Sequence, residues 1–148
     1  MVKYLTKEEV VAGHYFMMKQ MEDLEQAGVK DYSLLESAIH RPGQTVFHED
    51  AYPSLFDKAA ELVDSLAKNH CFHNGNKRTA YLSVKTFLLI NGYHLKMERS
   101  FAVNFMVDIV TGKYSLEDIA HIFGEHCIQG FRSTTRKCPR SSGRMTAF

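Results

Sequence analysis

At 148 residues, the chain has the length of one domain on the usual range of about 100–200 residues, enough to hold a core without disulfides. Apolar residues make up 45% and charged residues 24%, which excludes a disordered chain, and no apolar run nears the ~20 residues of a membrane helix. The net charge of +1 divides into −4 over residues 1–130 and +5 over residues 131–148, and so mildly acidic a body excludes DNA binding over a broad face.

Thr6 followed by Glu9 is a capping-box pattern. It predicts a first helix whose apolar stripe is Val10, Val11, Tyr15, Met18, Met21 and Leu24, stopped by Gly28. Asp31 is placed to cap a short helix carrying Leu34, Leu35, Ala38 and Ile39, which must end before Pro42. No helical period follows until Tyr52, and Thr45-Val46-Phe47 suits a short strand in a flap or hairpin. Pro53 fits the first turn of a helix burying Leu55, Phe56, Ala59, Leu62, Val63 and Leu66. After a loop over 69–76, residues 77–90 are apolar on nearly every side and closed by Asn91-Gly92, which predicts a helix in the middle of a bundle. Two more helices are expected, one over 98–110 with Phe101, Val103, Phe105, Met106, Ile109 and Val110. The other opens at Ser115, with Asp118 completing its cap, and carries Leu116, Ile119, Ile122 and Phe123.

The expected architecture is an all-α domain over residues 1–130. Residues 131–148 contain Arg132, Arg136, Lys137, Arg140 and Arg144, no acid and little to bury, a composition that predicts a disordered tail. Cys71, Cys127 and Cys138 form no Cys-x-x-Cys pair, and Glu8-Glu9 stands where an export signal would be apolar. Both point to the cytoplasm.

One segment breaks the pattern: His70-Cys71-Phe72-His73-Asn74-Gly75-Asn76-Lys77-Arg78. It places polar groups between two apolar helices, just where the second begins. Free backbone N–H groups and the positive end of the helix dipole gather there. Lys77 and Arg78 in that first turn oppose the dipole, a conflict that an anion such as phosphate would resolve. His70, across the loop, can accept a proton from an attacking hydroxyl at neutral pH. A base facing a phosphate cradle points to phosphoryl or nucleotidyl transfer, with Asn74 offering a carbonyl to a phosphate-bound magnesium and Phe72 pegging the loop. Each residue also has a plainer reading: surface histidines, an Asn-Gly turn, a solvated helix start. The spacing of His70, Cys71 and His73 argues against zinc.

The nonapeptide resembles the signature of the Fic/Doc family, His-x-Phe-x-(Asp/Asn)-(Gly/Ala)-Asn-Lys-Arg in its Doc form. His70, Phe72, Asn74, Gly75, Asn76, Lys77 and Arg78 fill every fixed position, and the similarity extends over about residues 1–127. It implies a compact helical bundle with a short β-hairpin flap near the active loop. Thr45, Val46, Phe47, His48 and Glu49 would be the flap that docks the target protein by strand pairing. It further implies ATP and magnesium, with His70 as base, Asn74 at the metal-ligand position, Gly75, Asn76, Lys77 and Arg78 on the phosphates, and Phe72 as anchor.

Lys77, in place of the second glycine of AMP-transferring members, implies the Doc branch and transfer of the γ-phosphate to a Ser or Thr hydroxyl; AMP transfer is the alternative. Doc proteins resemble toxins of toxin–antitoxin modules that act on a translation elongation factor and are silenced by an antitoxin partner. Many members carry an acid where this chain has Asn74, which implies weaker metal binding and keeps a non-catalytic, nucleotide- or partner-binding member as a rival reading. Leu82 replaces a polar residue near the nucleotide, and no stretch matches the Fic self-inhibitory signature, Ser/Thr-x-x-x-Glu-(Gly/Asn).

Overall fold

A computed structural model describes residues 1–130, and the tail expected at 131–148 lies outside the described residues. Helix α1 (Lys7–Gln20) opens on the expected box: Thr6 Oγ1 accepts from Glu9 N–H at 3.1 Å, and Glu9 Oε1 from Thr6 N–H at 3.2 Å. It ends earlier than Gly28. Glu22 takes φ 56°, and Asp23 N–H returns to Met18 O at 2.9 Å, a left-handed stop that costs a non-glycine residue about 1 kcal/mol. Leu24 thereby falls into a separate 3-10 turn, Leu24–Gln26, and is exposed, as are Tyr15 and Met21. Val10 and Met18 are buried as expected, and His14 and Met17 complete the stripe in place of Tyr15, Met21 and Leu24; a polar residue at its centre hid the true face.

Helix α2 (Tyr32–His40) is capped by Asp31 Oδ1 on Leu34 N–H at 3.0 Å and buries Leu35, Ala38 and Ile39, while Leu34 faces out. It stops ahead of Pro42, as the proline requires. Strands β1 (Thr45–Val46) and β2 (Glu49–Asp50) pair antiparallel, Thr45 with Asp50 and Val46 with Glu49. Phe47 is not in the strand. It forms the two-residue turn with His48, at φ 51° and 66°, a conformation that normally selects Asn-Gly.

Helix α3 (Leu55–Lys68) is capped by Ser54 with Asp57, so Pro53 stands outside the helix rather than in its first turn. This helix, more than its successor, is the centre of the bundle, packed by α4 (Asn76–Ile90), α5 (Arg99–Val110), α6 (Leu116–His126) and α2. Ala59, Ala60 and Ala67 are fully covered and let neighbours approach closely. Its charged residues disguised it: Lys58 is buried and holds the flap through Asp50 Oδ2 at 3.2 Å and the Tyr52 carbonyl, while buried Glu61 takes Arg41 Nη1 at 3.1 Å and Ser65 Oγ at 2.9 Å. Helix α4 buries Ala80, Val84, Phe87 and Leu88 but exposes Leu89 and Ile90.

A second two-stranded sheet was not foreseen. Strand β3 (Tyr93–Leu95), after α4, pairs antiparallel with β4 (Cys127–Gln129), after α6. The molecule remains a helical bundle with a hairpin flap, now with its last helix tied back by strand pairing.

Candidate active site

The loop that carries the nonapeptide is built by the two helices around it. Helix α3 ends at Lys68 with Asn69 as its C-cap, and His70 follows at φ 50°, a position where glycine is ordinary and a histidine is held at a cost. The chain then turns inward. Phe72 is 1% exposed, and burying a phenylalanine contributes about 2–3 kcal/mol, so the loop is pegged to the core. Residues 28–31 strap it from outside: Cys71 O accepts from Lys30 N–H at 2.7 Å and Asp31 N–H at 3.1 Å, and His73 N–H donates to Gly28 O at 3.0 Å. Burial pushes the Cys71 thiol up to about 11, so it is not a nucleophile at neutral pH.

Asn76 closes the loop on itself. Its Oδ1 accepts from Phe72 N–H and its Nδ2 donates to Phe72 O, both at 3.0 Å. With the side chain so engaged, what Asn76 offers a phosphate is its backbone N–H. Asn74 Oδ1 likewise accepts from Gly75 N–H at 2.7 Å. Gly75, at φ 72°, begins α4 without a side-chain cap.

Helices α1, α3 and α6 each open with a capping box and an acid in the first turn. Helix α4 opens with Lys77 and Arg78, and neither has a carboxylate partner among the described residues. The amides of Asn76, Lys77 and Arg78 precede the first helical bond, Thr79 N–H to Gly75 O at 2.9 Å.

His70, Asn74, Gly75, Asn76, Lys77 and Arg78 all line one open cleft of about 340 Å³, with Val110 of α5 on its wall. His70 is exposed and has no hydrogen-bond partner among the described residues. Phe72 lies beneath the cleft rather than in it, and the flap residues Thr45, Val46, Phe47, His48 and Glu49 do not line it. Leu82 is turned to α1, its Cδ2 3.5 Å from where a Cβ on Gly13 would stand. Among the described residues no three His, Cys, Asp or Glu side chains could share a metal. A hard cation here would draw most of its oxygens from a bound phosphate, with Asn74 as a neutral addition.

Sequence reasoning missed His14. It is fully buried on α1, its Nε2 accepts from Gly28 N–H at 3.0 Å, and its Nδ1 lies 2.9 Å from Thr79 Oγ1. Since Nε2 accepts, Nδ1 carries the proton and donates to Thr79. The ring also stacks on Phe72, centroids 4.0 Å apart. Burial first, and nearby His73 second, lower its pKa from 6.5 to about 4. The folded value lies below the unfolded one, so the contribution is present above pH 6.5 and lost as pH falls toward 4. The loss should be about 3 kcal/mol, measured as the part of the acid destabilisation in urea melts that His14→Gln removes.

Comparison with known proteins identifies the family. A profile described as the Fic/DOC family matches residues 4–88. Toxin Doc of Mycolicibacterium smegmatis is 42% identical over 123 residues, covering 81% of this chain and 90% of that protein. Protein kinase doc of Escherichia phage P1 is 29% identical over 119 residues, covering 80% and 91%. By its profile, by these relatives and by a nonapeptide with every fixed position in place, the chain belongs to the Fic/DOC family, on its Doc branch.

Proposed function

We propose that this protein transfers the γ-phosphate of ATP to a Ser or Thr hydroxyl of a target protein, as the toxin of a toxin–antitoxin module. The observation that carries the reading is the start of α4: no side-chain cap, three amides ahead of the first helical bond, and two cations without a carboxylate partner among the described residues, facing one cleft with His70. In the reaction, His70 takes the proton of the acceptor hydroxyl as its oxygen bonds to the γ-phosphorus. The bond to the β–γ bridging oxygen breaks and ADP leaves. Lys77, Arg78 and the amides offset the charge of the phosphates, and positioning supplies most of the rate.

The names of the relatives support the two halves of this reading, one called a toxin and the other a protein kinase. ATP arrives with its magnesium, and Asn74 is the loop side chain that would add an oxygen to that ion. The exposed flap, Thr45 to Glu49, receives an extended segment of the target by strand pairing, and a translation elongation factor is the target the resemblance implies. An antitoxin supplies the brake. The reading puts the reaction in the cytoplasm, in keeping with the free thiols of Cys71 and Cys127, and gives no role to DNA, for which a body of net charge −4 is unsuited. Among the described residues no helix is long and apolar enough to cross a bilayer.

The test is label transfer into a bacterial extract. Label from γ-labelled ATP and none from α-labelled ATP supports phosphoryl transfer; label from the α position means AMP transfer, and none from either means a non-catalytic member. A second expected result concerns Lys77. Lys77→Ala weakens ATP binding about tenfold, a loss of roughly 1.4 kcal/mol, while the melting temperature holds or rises because a cation leaves the positive helix end. Calorimetric titration beside a thermal melt reads both.

A further inference from the structure

A histidine on the buried face of a helix must satisfy two ring nitrogens away from water, and the partners it chooses fix whatever carries them. His14 of α1 chooses three segments that make the site. It accepts from Gly28 N–H in the outer strap, donates to Thr79 at the first turn of α4, and stacks on Phe72 in the loop. Gly28 in turn receives His73 N–H on its carbonyl. Phe72 is two residues from His70, and Thr79 directly follows Arg78. Both walls of the cleft, the His70 imidazole and the adjacent cations Lys77 and Arg78, therefore stand within two residues of a contact to one buried ring.

We propose that His14 is a positioning residue of the transfer reaction, holding Gly28, Phe72 and Thr79 in one register and so setting His70 against the phosphate-receiving turn of α4. It touches neither donor nor acceptor. Its effect is geometric, and a misplacement of about 1 Å can cost up to about a hundredfold in rate. The inference rests on the reading that His70 and the start of α4 perform the transfer.

Two variants separate positioning from mere support of the fold. His14→Phe keeps an aromatic ring on Phe72 and removes both hydrogen bonds. His14→Gln brings an amide oxygen to where Nε2 accepts and so restores the bond to Gly28. With both folded at the assay temperature, the maximal rate of label transfer from ATP into extract falls about tenfold or more in His14→Phe. The ATP concentration at half-maximal rate changes less than about threefold, and His14→Gln recovers part of the loss.

Amide exchange at residues 71–75 quickens in His14→Phe while α3 and α6 keep their protection. A smaller loss of rate, or loop exchange that quickens only together with α3 and α6, overturns the proposal. If His14→Phe does not fold, Thr79→Val carries the same expectations by removing one partner at nearly constant volume. His70→Ala is run alongside: full activity there overturns the transfer reading itself, whereas an inactive His70→Ala beside a fully active His14→Phe overturns only the role of His14.

Discussion

His70→Ala is expected to reduce label transfer by a hundred- to ten-thousandfold, roughly the contribution of a general base, while leaving the unfolding free energy within about 1 kcal/mol of the parent. The asymmetry follows from its place. The side chain is exposed and has no hydrogen-bond partner among the described residues, so the fold loses nothing with it. His70→Gly sharpens the point. The backbone there has φ 50° just past the end of α3, where glycine avoids a penalty of about 1 kcal/mol. That variant should melt no lower than the parent and be equally inactive. A stable protein without transfer would mark His70 as kept for chemistry; a His70→Gly that melts well below the parent would make it a structural residue.

Gly75→Ala is expected to have the largest structural effect of any single methyl in the site. A Cβ at that position would stand 2.8 Å from Met18 Sδ and 3.0 Å from Met17 Cε, and the backbone is at φ 72°. Both methionines are 1% exposed and have little room to retreat. A left-handed alanine costs about 1 kcal/mol and overpacking a further 1–3 kcal/mol, so a total of about 2–4 kcal/mol is expected in urea melts. Transfer should fall with it, because Gly75 sets where α4 begins. Gly92→Ala provides the comparison: its φ is 91° but nothing lies within 4 Å, so only the backbone penalty of about 1 kcal/mol applies. Equal losses at the two positions would show that the methionines do not crowd the loop.

Much of this molecule was legible before any coordinates because its local signals are unambiguous. Thr6 with Glu9 and Ser115 with Asp118 open helices by a pattern visible in sequence, whereas the equivalent Ser54 with Asp57 was overshadowed by the neighbouring Pro53. The cleft was legible for a different reason: most of the residues that line it, His70 and His73 to Arg78, fall within one nonapeptide, so their convergence needed only a loop between two helices. What was hidden depends on partners distant in sequence. His14 has no local signal, and its place is defined only by Gly28, Phe72 and Thr79 closing around it. Lys58 and Glu61 fall outside the expected buried face of α3, and their burial depends on pairing with Asp50 and Arg41. Strands β3 and β4 are three residues each and join segments more than thirty residues apart, with no local pattern to announce them. Asn76 has the opposite character: it is visible in the motif, but the engagement of its side chain by the Phe72 backbone is not.

The most direct measurement is a crystal structure of the protein with a non-hydrolysable ATP analogue and magnesium. The account predicts phosphate oxygens within hydrogen-bond reach of the amides of Asn76, Lys77 and Arg78, both cations turned onto them, and the terminal phosphorus facing the His70 ring. A triphosphate bound elsewhere, or one seated in the cleft with the His70 ring pointing away from it, would contradict the account.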